Sequence, residues 1–98
     1  MNEKIKIKVE PELRDYLPKY LESRKKDLER LRDSLSKQDF KTLETISHKI
    51  RGHALSYGFV PLSGICALIE RAAIEKNYEV IVSQLNEYRD YIEKVEVN

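Results

Sequence analysis

The chain has 98 residues, 41% hydrophobic and 36% charged, with three glycines and three prolines, which suits one domain with a single core and too few tight turns for a multi-stranded sheet. Eighteen Lys+Arg against 17 Asp+Glu leave a formal charge of +1, too even for a nucleic-acid partner, and one cysteine, Cys66, excludes an internal disulfide and the usual Cys-rich zinc frameworks. No apolar run approaches the roughly 18 residues of a membrane span, and the N-terminus has no continuous apolar signal core, so a soluble, cytoplasmic domain is expected.

Residues 1–10 place Ile5, Ile7 and Val9 on alternate positions, the period of an extended strand. They are expected to form an N-terminal arm, since one short strand finds no partner elsewhere in the sequence. Pro11 suits the first position of a helix and Glu12 its first turn. Apolar residues then recur at helical spacing through Leu13, Leu17, Tyr20, Leu21, Leu28, Leu31 and Leu35. Pro18 interrupts this run, predicting a short leading helix or a kink before a longer helix from about Pro18. Asp39 can cap a second helix whose apolar face carries Phe40, Leu43, Ile46, Ile50, Ala54 and Tyr57, and which stops at Gly58. Pro61 opens a third helix, with Asn77 as its expected stop, and Ile81, Leu85, Tyr88, Ile92 and Val95 mark a fourth. The expected fold is all-α: an antiparallel up-down four-helix bundle over residues 11–98, preceded by the arm.

On a helical wheel with Phe40 at zero, the apolar stripe of the second helix centres near about 285°, and His48 falls at about 80°, almost opposite. His53 lies near about 220°, on the flank of the core, and is expected to be a structural ring satisfied by a neighbouring helix. Around His48 stand Glu44 at i−4, Arg51 at i+3, Gly52 at i+4 and Leu55 at i+7. Separately these read as ordinary surface: a solvated cation, a tolerated glycine, a scattered leucine. Together they suit chemistry at phosphorus. Imidazole titrates near neutrality and is nucleophilic, and phosphoryl transfer asks mainly for positioning and cationic stabilisation of the equatorial oxygens. Arg51 supplies the charge, Gly52 lets a partner come close, and Leu55 belongs to a docking surface.

Residues 47–58, SHKIRGHALSYG, resemble the signature of the histidine-phosphotransfer (HPt) domains of two-component phosphorelays: His, any residue, aliphatic, basic, Gly, small residues, then a second Gly at the helix end. His48, Ile50, Arg51, Gly52, Ala54 and Gly58 fill those places. The ELRDYLPKYLESRKKDLERL segment resembles the family's first helix, and LSGICALIERA its third, with Glu70 where the family often has Glu or Gln. The resemblance implies a four-helix bundle and a phosphohistidine at His48, assisted by Arg51 where the family commonly has Lys. Its implied partners are a response-regulator receiver domain, whose aspartate cluster holds Mg²⁺, and a sensor histidine kinase. The chain is expected to act as a monomeric carrier without a cofactor of its own. Glu44, Lys49, Leu55 and Glu70 are the expected partner-binding residues. Two positions depart from the pattern: His53 stands where a small residue is usual, and Arg51 keeps the charge of Lys without its compact ammonium.

Other readings have less behind them. Glu44 and His48 at i,i+4 make half of a metal site, with no further Cys or His cluster to complete it. A Ser–His pair from Ser47 or Ser56 has no oxyanion-hole glycine motif beside it. No glycine-rich phosphate loop occurs, so the chain is expected to carry phosphoryl groups rather than take them from ATP. The alternative function is that of a helical-bundle adaptor that binds signalling partners without chemistry.

Overall fold

The computed structural model describes residues 5–7 and 15–97. Four helices follow one another, α1 (Leu17–Ser36), α2 (Phe40–Ser56), α3 (Val60–Ile74) and α4 (Tyr78–Lys94), flanked by the short strands β1 (Ile5–Ile7) and β2 (Val95–Val97). Pro18 lies in the first turn of α1, where its missing N–H costs no helical bond. The leading helix expected at Pro11, Glu12 and Leu13 falls outside the described residues.

Local chemistry fixes each helix boundary. At the α1–α2 turn Gln38 takes a positive φ of 56°, and the Asp39 carboxylate accepts the N–H of Thr42 at 3.1 Å. After α2, Gly58 turns the chain at φ 89° while the N–H of Phe59 donates to the Ala54 carbonyl at 2.9 Å. Asn77 differs from its expected role as the stop of α3. That helix ends at Ile74, Lys76 takes the left-handed conformation at φ 54°, and the Asn77 side chain accepts the Val80 N–H as the N-cap of α4. An Asn beside a helix end serves either role by its residue type, and only the φ of its neighbour decides.

The helices pack in cyclic order, each on the next and α4 back on α1. Leu17, Leu31, Leu43, Ile50, Leu62, Ile69 and Ile81 fill the centre with essentially no exposure. Tyr88 is buried among them and satisfies its hydroxyl on the Arg24 carbonyl at 2.6 Å. Among the described residues the one departure from an all-helical chain is the terminal pairing. Contrary to the expectation of a lone strand, β1 pairs in parallel with β2, in the register Ile5↔Val95, Lys6↔Glu96, Ile7↔Val97. Val95 continues the helical spacing of α4, which hid a strand in the periodicity, yet its own backbone is extended at φ −70° and ψ 134°. No helix among the described residues is long and apolar enough to cross a membrane.

Candidate functional site

His48 sits mid-way along α2, on the face that the wheel turns away from the core, and its side chain is 61% exposed. The fold sets Glu70 of α3 against it. Glu70 Oε2 is 2.9 Å from His48 Nδ1, while Oε1 is 3.2 Å from Arg51 Nε. Arg51 Nη2 stands 3.0 Å from the same Nδ1. A carboxylate can only accept, so a contact at 2.9 Å requires a proton on Nδ1, and the Nδ1–H donates to Glu70. In the neutral ring this leaves the lone pair on Nε2. Arg51 cannot then be donating to Nδ1; its Nε bond to Glu70 holds it beside the ring.

Glu70 is the hinge of this arrangement. Its side chain is only 16% exposed and uses both oxygens within the chain, which sequence spacing could not reveal across 22 residues. Ser63, also of α3, donates its hydroxyl to the Arg51 carbonyl at 2.8 Å and ties the two helices together at the site. The sequence held no signal for that bond, because Ser63 reads as an ordinary small residue near a helix start.

The other singled-out residues lie around this centre. Lys49 is exposed and lines a small crevice with Glu44, Thr45, His48 and Glu70. Glu44 is half-buried and pairs with Lys41 at 3.7 Å. Among the described residues no group of three His, Cys, Asp or Glu stands close enough to hold a metal ion. Gly52 is exposed, and a Cβ built there would meet nothing within 4 Å. Leu55 is 58% exposed. The exposed Leu68 and Ile74 of α3, which the apolar spacing of that helix could have flagged, join Arg51, Glu70 and Arg71 around a crevice of about 510 Å³.

His53 occupies different surroundings. It is half-buried between α1 and α2, with the Tyr20 hydroxyl 2.7 Å from Nδ1 and Arg24 Nη1 3.0 Å from Nε2. Burial, and after it the Arg24 charge, hold its pKa below the ordinary histidine range.

Comparison with known sequences places this geometry in a family. Residues 15–97 match a family model described as the Hpt domain. Comparison with curated proteins and with solved structures gives no match. The matched span runs from the turn before α1 to the last residue of β2, so it takes in all four helices and both faces of α2. The chain therefore belongs to the Hpt family, the domains that carry phosphoryl groups on histidine in phosphorelays and work there with receiver domains and kinases.

Proposed function

We propose that His48 accepts a phosphoryl group at Nε2 from a receiver-domain aspartate or a partner histidine kinase, and passes it to another receiver. One observation carries the reading: the Glu70 carboxylate holds Nδ1–H at 2.9 Å, so the free lone pair is on Nε2 of an exposed ring. In the forward step that lone pair forms the N–P bond as the P–O bond of the aspartyl phosphate breaks, and the aspartate leaves as a carboxylate. The ring then bears a positive charge, which Glu70 stabilises through Nδ1–H. In the onward step a receiver carboxylate oxygen attacks phosphorus, and the N–P electrons return to Nε2. Arg51, pinned beside the ring by Glu70, is positioned to meet charge on the phosphoryl oxygens.

The partner's approach falls to the surface around this ring. Gly52 leaves room one turn beyond His48, and Leu55, Leu68 and Ile74 offer exposed apolar area beside it. Glu44 and Lys49 border the side of the ring nearer the start of α2. The reading gives the chain no cofactor of its own, Mg²⁺ belonging to the receiver's aspartates.

Incubation with a phosphorylated receiver domain tests it. Label should reach this chain in an acid-labile, base-stable form, and His48→Gln should abolish uptake while leaving helicity and melting nearly unchanged. Labelling that survives His48→Gln and disappears only on changing His53 would overturn the assignment. A wild-type chain that takes up no label from receiver or kinase would be an adaptor instead.

A further inference from the structure

The proposed transfer makes no use of His53, yet that ring is the most connected polar group between α1 and α2. Tyr20 meets it edge-on, with ring centroids 5.3 Å apart and the phenol oxygen 2.7 Å from Nδ1. Tyr20 also stacks on Phe59 at 5.4 Å and packs against Tyr57 at 4.7 Å, so it is fixed on three sides. Burial pushes its hydroxyl up to about 12, which keeps the phenol proton in place. The Tyr20 hydroxyl also meets Arg24, and a guanidinium can only donate, so the phenol keeps its own proton for Nδ1 and a neutral His53 accepts.

Arg24 completes the cluster. Its Nη1 lies 3.0 Å from Nε2 and 3.3 Å from Nδ1, almost equidistant. An approach within the ring plane at those distances would collide with the carbon between the two nitrogens, so the guanidinium stands over the ring face. The same guanidinium covers Tyr20, 4.5 Å from its centroid. A cation over a neutral aromatic face is attractive, and over an imidazolium it is repulsive.

Beside this cluster the helices part around a crevice of about 380 Å³. Arg24, Asp27 and Arg30 of α1 line it, with Lys49 and His53 of α2. Among the described residues its single carboxylate, Asp27, is already shared between Arg24 Nε at 3.1 Å and Arg30 Nη1 at 3.4 Å. The uncharged Tyr20 stands against His53 as well. Among the described residues a proton on His53 would therefore add a fourth cation where one engaged carboxylate stands.

The geometry points to a proton-operated latch: neutral His53 fastens α1 to α2 by accepting the Tyr20 hydroxyl and lying under Arg24, and a proton on His53 releases it. Protonation takes the lone pair from Nδ1 and sets like charges face to face. The direction of the pH dependence follows. With the folded pKa lowered, first by burial and then by Arg24, the stabilisation is complete above the unfolded histidine value of about 6.5. It declines as pH falls from there to the folded pKa, because the unfolded chain binds the extra proton, and below that it changes no further. The release acts on the helix that carries His48, from its other side, and does not rest on the role proposed for His48.

A proton NMR titration of the full chain, with urea unfolding at pH 7.5, 6.5 and 5.5, tests the latch. His53 should titrate below the ordinary range, and Arg24→Gln should raise its midpoint. The wild-type folding constant should fall on acidification by up to about tenfold per pH unit more than that of His53→Gln. If His53→Gln does not fold, the midpoint in Arg24→Gln carries the test. A midpoint at the ordinary histidine value, or one unmoved by Arg24→Gln, would overturn the proposal, as would equal acid sensitivity in wild type and His53→Gln.

Discussion

Two histidines five positions apart on one helix differ because each meets different atoms. His48 has its Nδ1–H on a carboxylate, and His53 has its Nδ1 under a phenol hydroxyl with a guanidinium over the ring. The wheel separated them, since exposure depends on angle alone. It could not supply the partners, because Glu70 lies 22 residues from His48, and Tyr20 and Arg24 lie 33 and 29 residues from His53. Glu70→Ala should free the ring to rotate and to hold its proton on either nitrogen. A hydrogen bond to a charged group contributes about 1.5–3 kcal/mol, so phosphotransfer should slow by roughly 10–100-fold. Glu70→Gln retains an accepting oxygen and should lose less. Single-turnover transfer from a phosphorylated receiver measures both, and equal rates in all three proteins would remove Glu70 from the mechanism. Arg51 acts differently, as a charge toward an acidic partner. Arg51→Gln should slow transfer and flatten its dependence on ionic strength. Folding should lose only about 1 kcal/mol, since Arg51 is itself 43% exposed and the more buried Glu70 keeps its bond to His48 Nδ1–H. An unchanged salt profile would mark Arg51 as a solvated surface cation.

The helices themselves were readable wherever a boundary depends on one residue's chemistry. Asp39 caps α2 and Gly58 turns the chain after it because a side-chain acceptor and a positive φ are local needs. Asn77 caps α4 rather than stopping α3, and its residue type suits both roles equally. Gly52 is the opposite case, a glycine that its helix does not need. Its conformation is helical, and a Cβ there would meet nothing within 4 Å. Gly52→Ala should stabilise the domain by roughly 0.5–1 kcal/mol and raise the melting midpoint by a few degrees. The same methyl stands one turn from His48, where in-line geometry is sensitive at the ångström scale, so transfer should slow while stability rises. Gly52→Leu should still fold and nearly block transfer. Thermal melts with paired transfer rates check the opposite signs. A lower melting point for Gly52→Ala would mean that a neighbouring helix needs the space after all.

Nothing in the sequence joins the two ends of the chain. A three-residue strand leaves too short a pattern to detect, and Val95 fits the helical period before it, so the pairing of β1 with β2 became visible only in three dimensions. Among the described residues the buried apolar side chains run from Leu17 to Ile92, within the helices and the Phe59 turn, and join in one cluster against which Val95 of β2 is only partly buried. A two-stranded pair of this length is marginal by itself, and parallel pairing is slightly weaker per residue than antiparallel. Residues 1–10 should therefore behave as an arm on a bundle that folds without them. A chain starting at residue 11 should keep its helical circular dichroism, lose no more than about 1–2 kcal/mol, a shift of several degrees in melting midpoint, and accept phosphoryl groups at the full-length rate. His48, Arg51 and Glu70 are held by contacts between α2 and α3, and the ladder of the terminal pairing includes neither helix. Loss of cooperative unfolding in the truncated chain would place the strand pair within the folding unit, and loss of transfer with folding intact would place the arm in the docking surface.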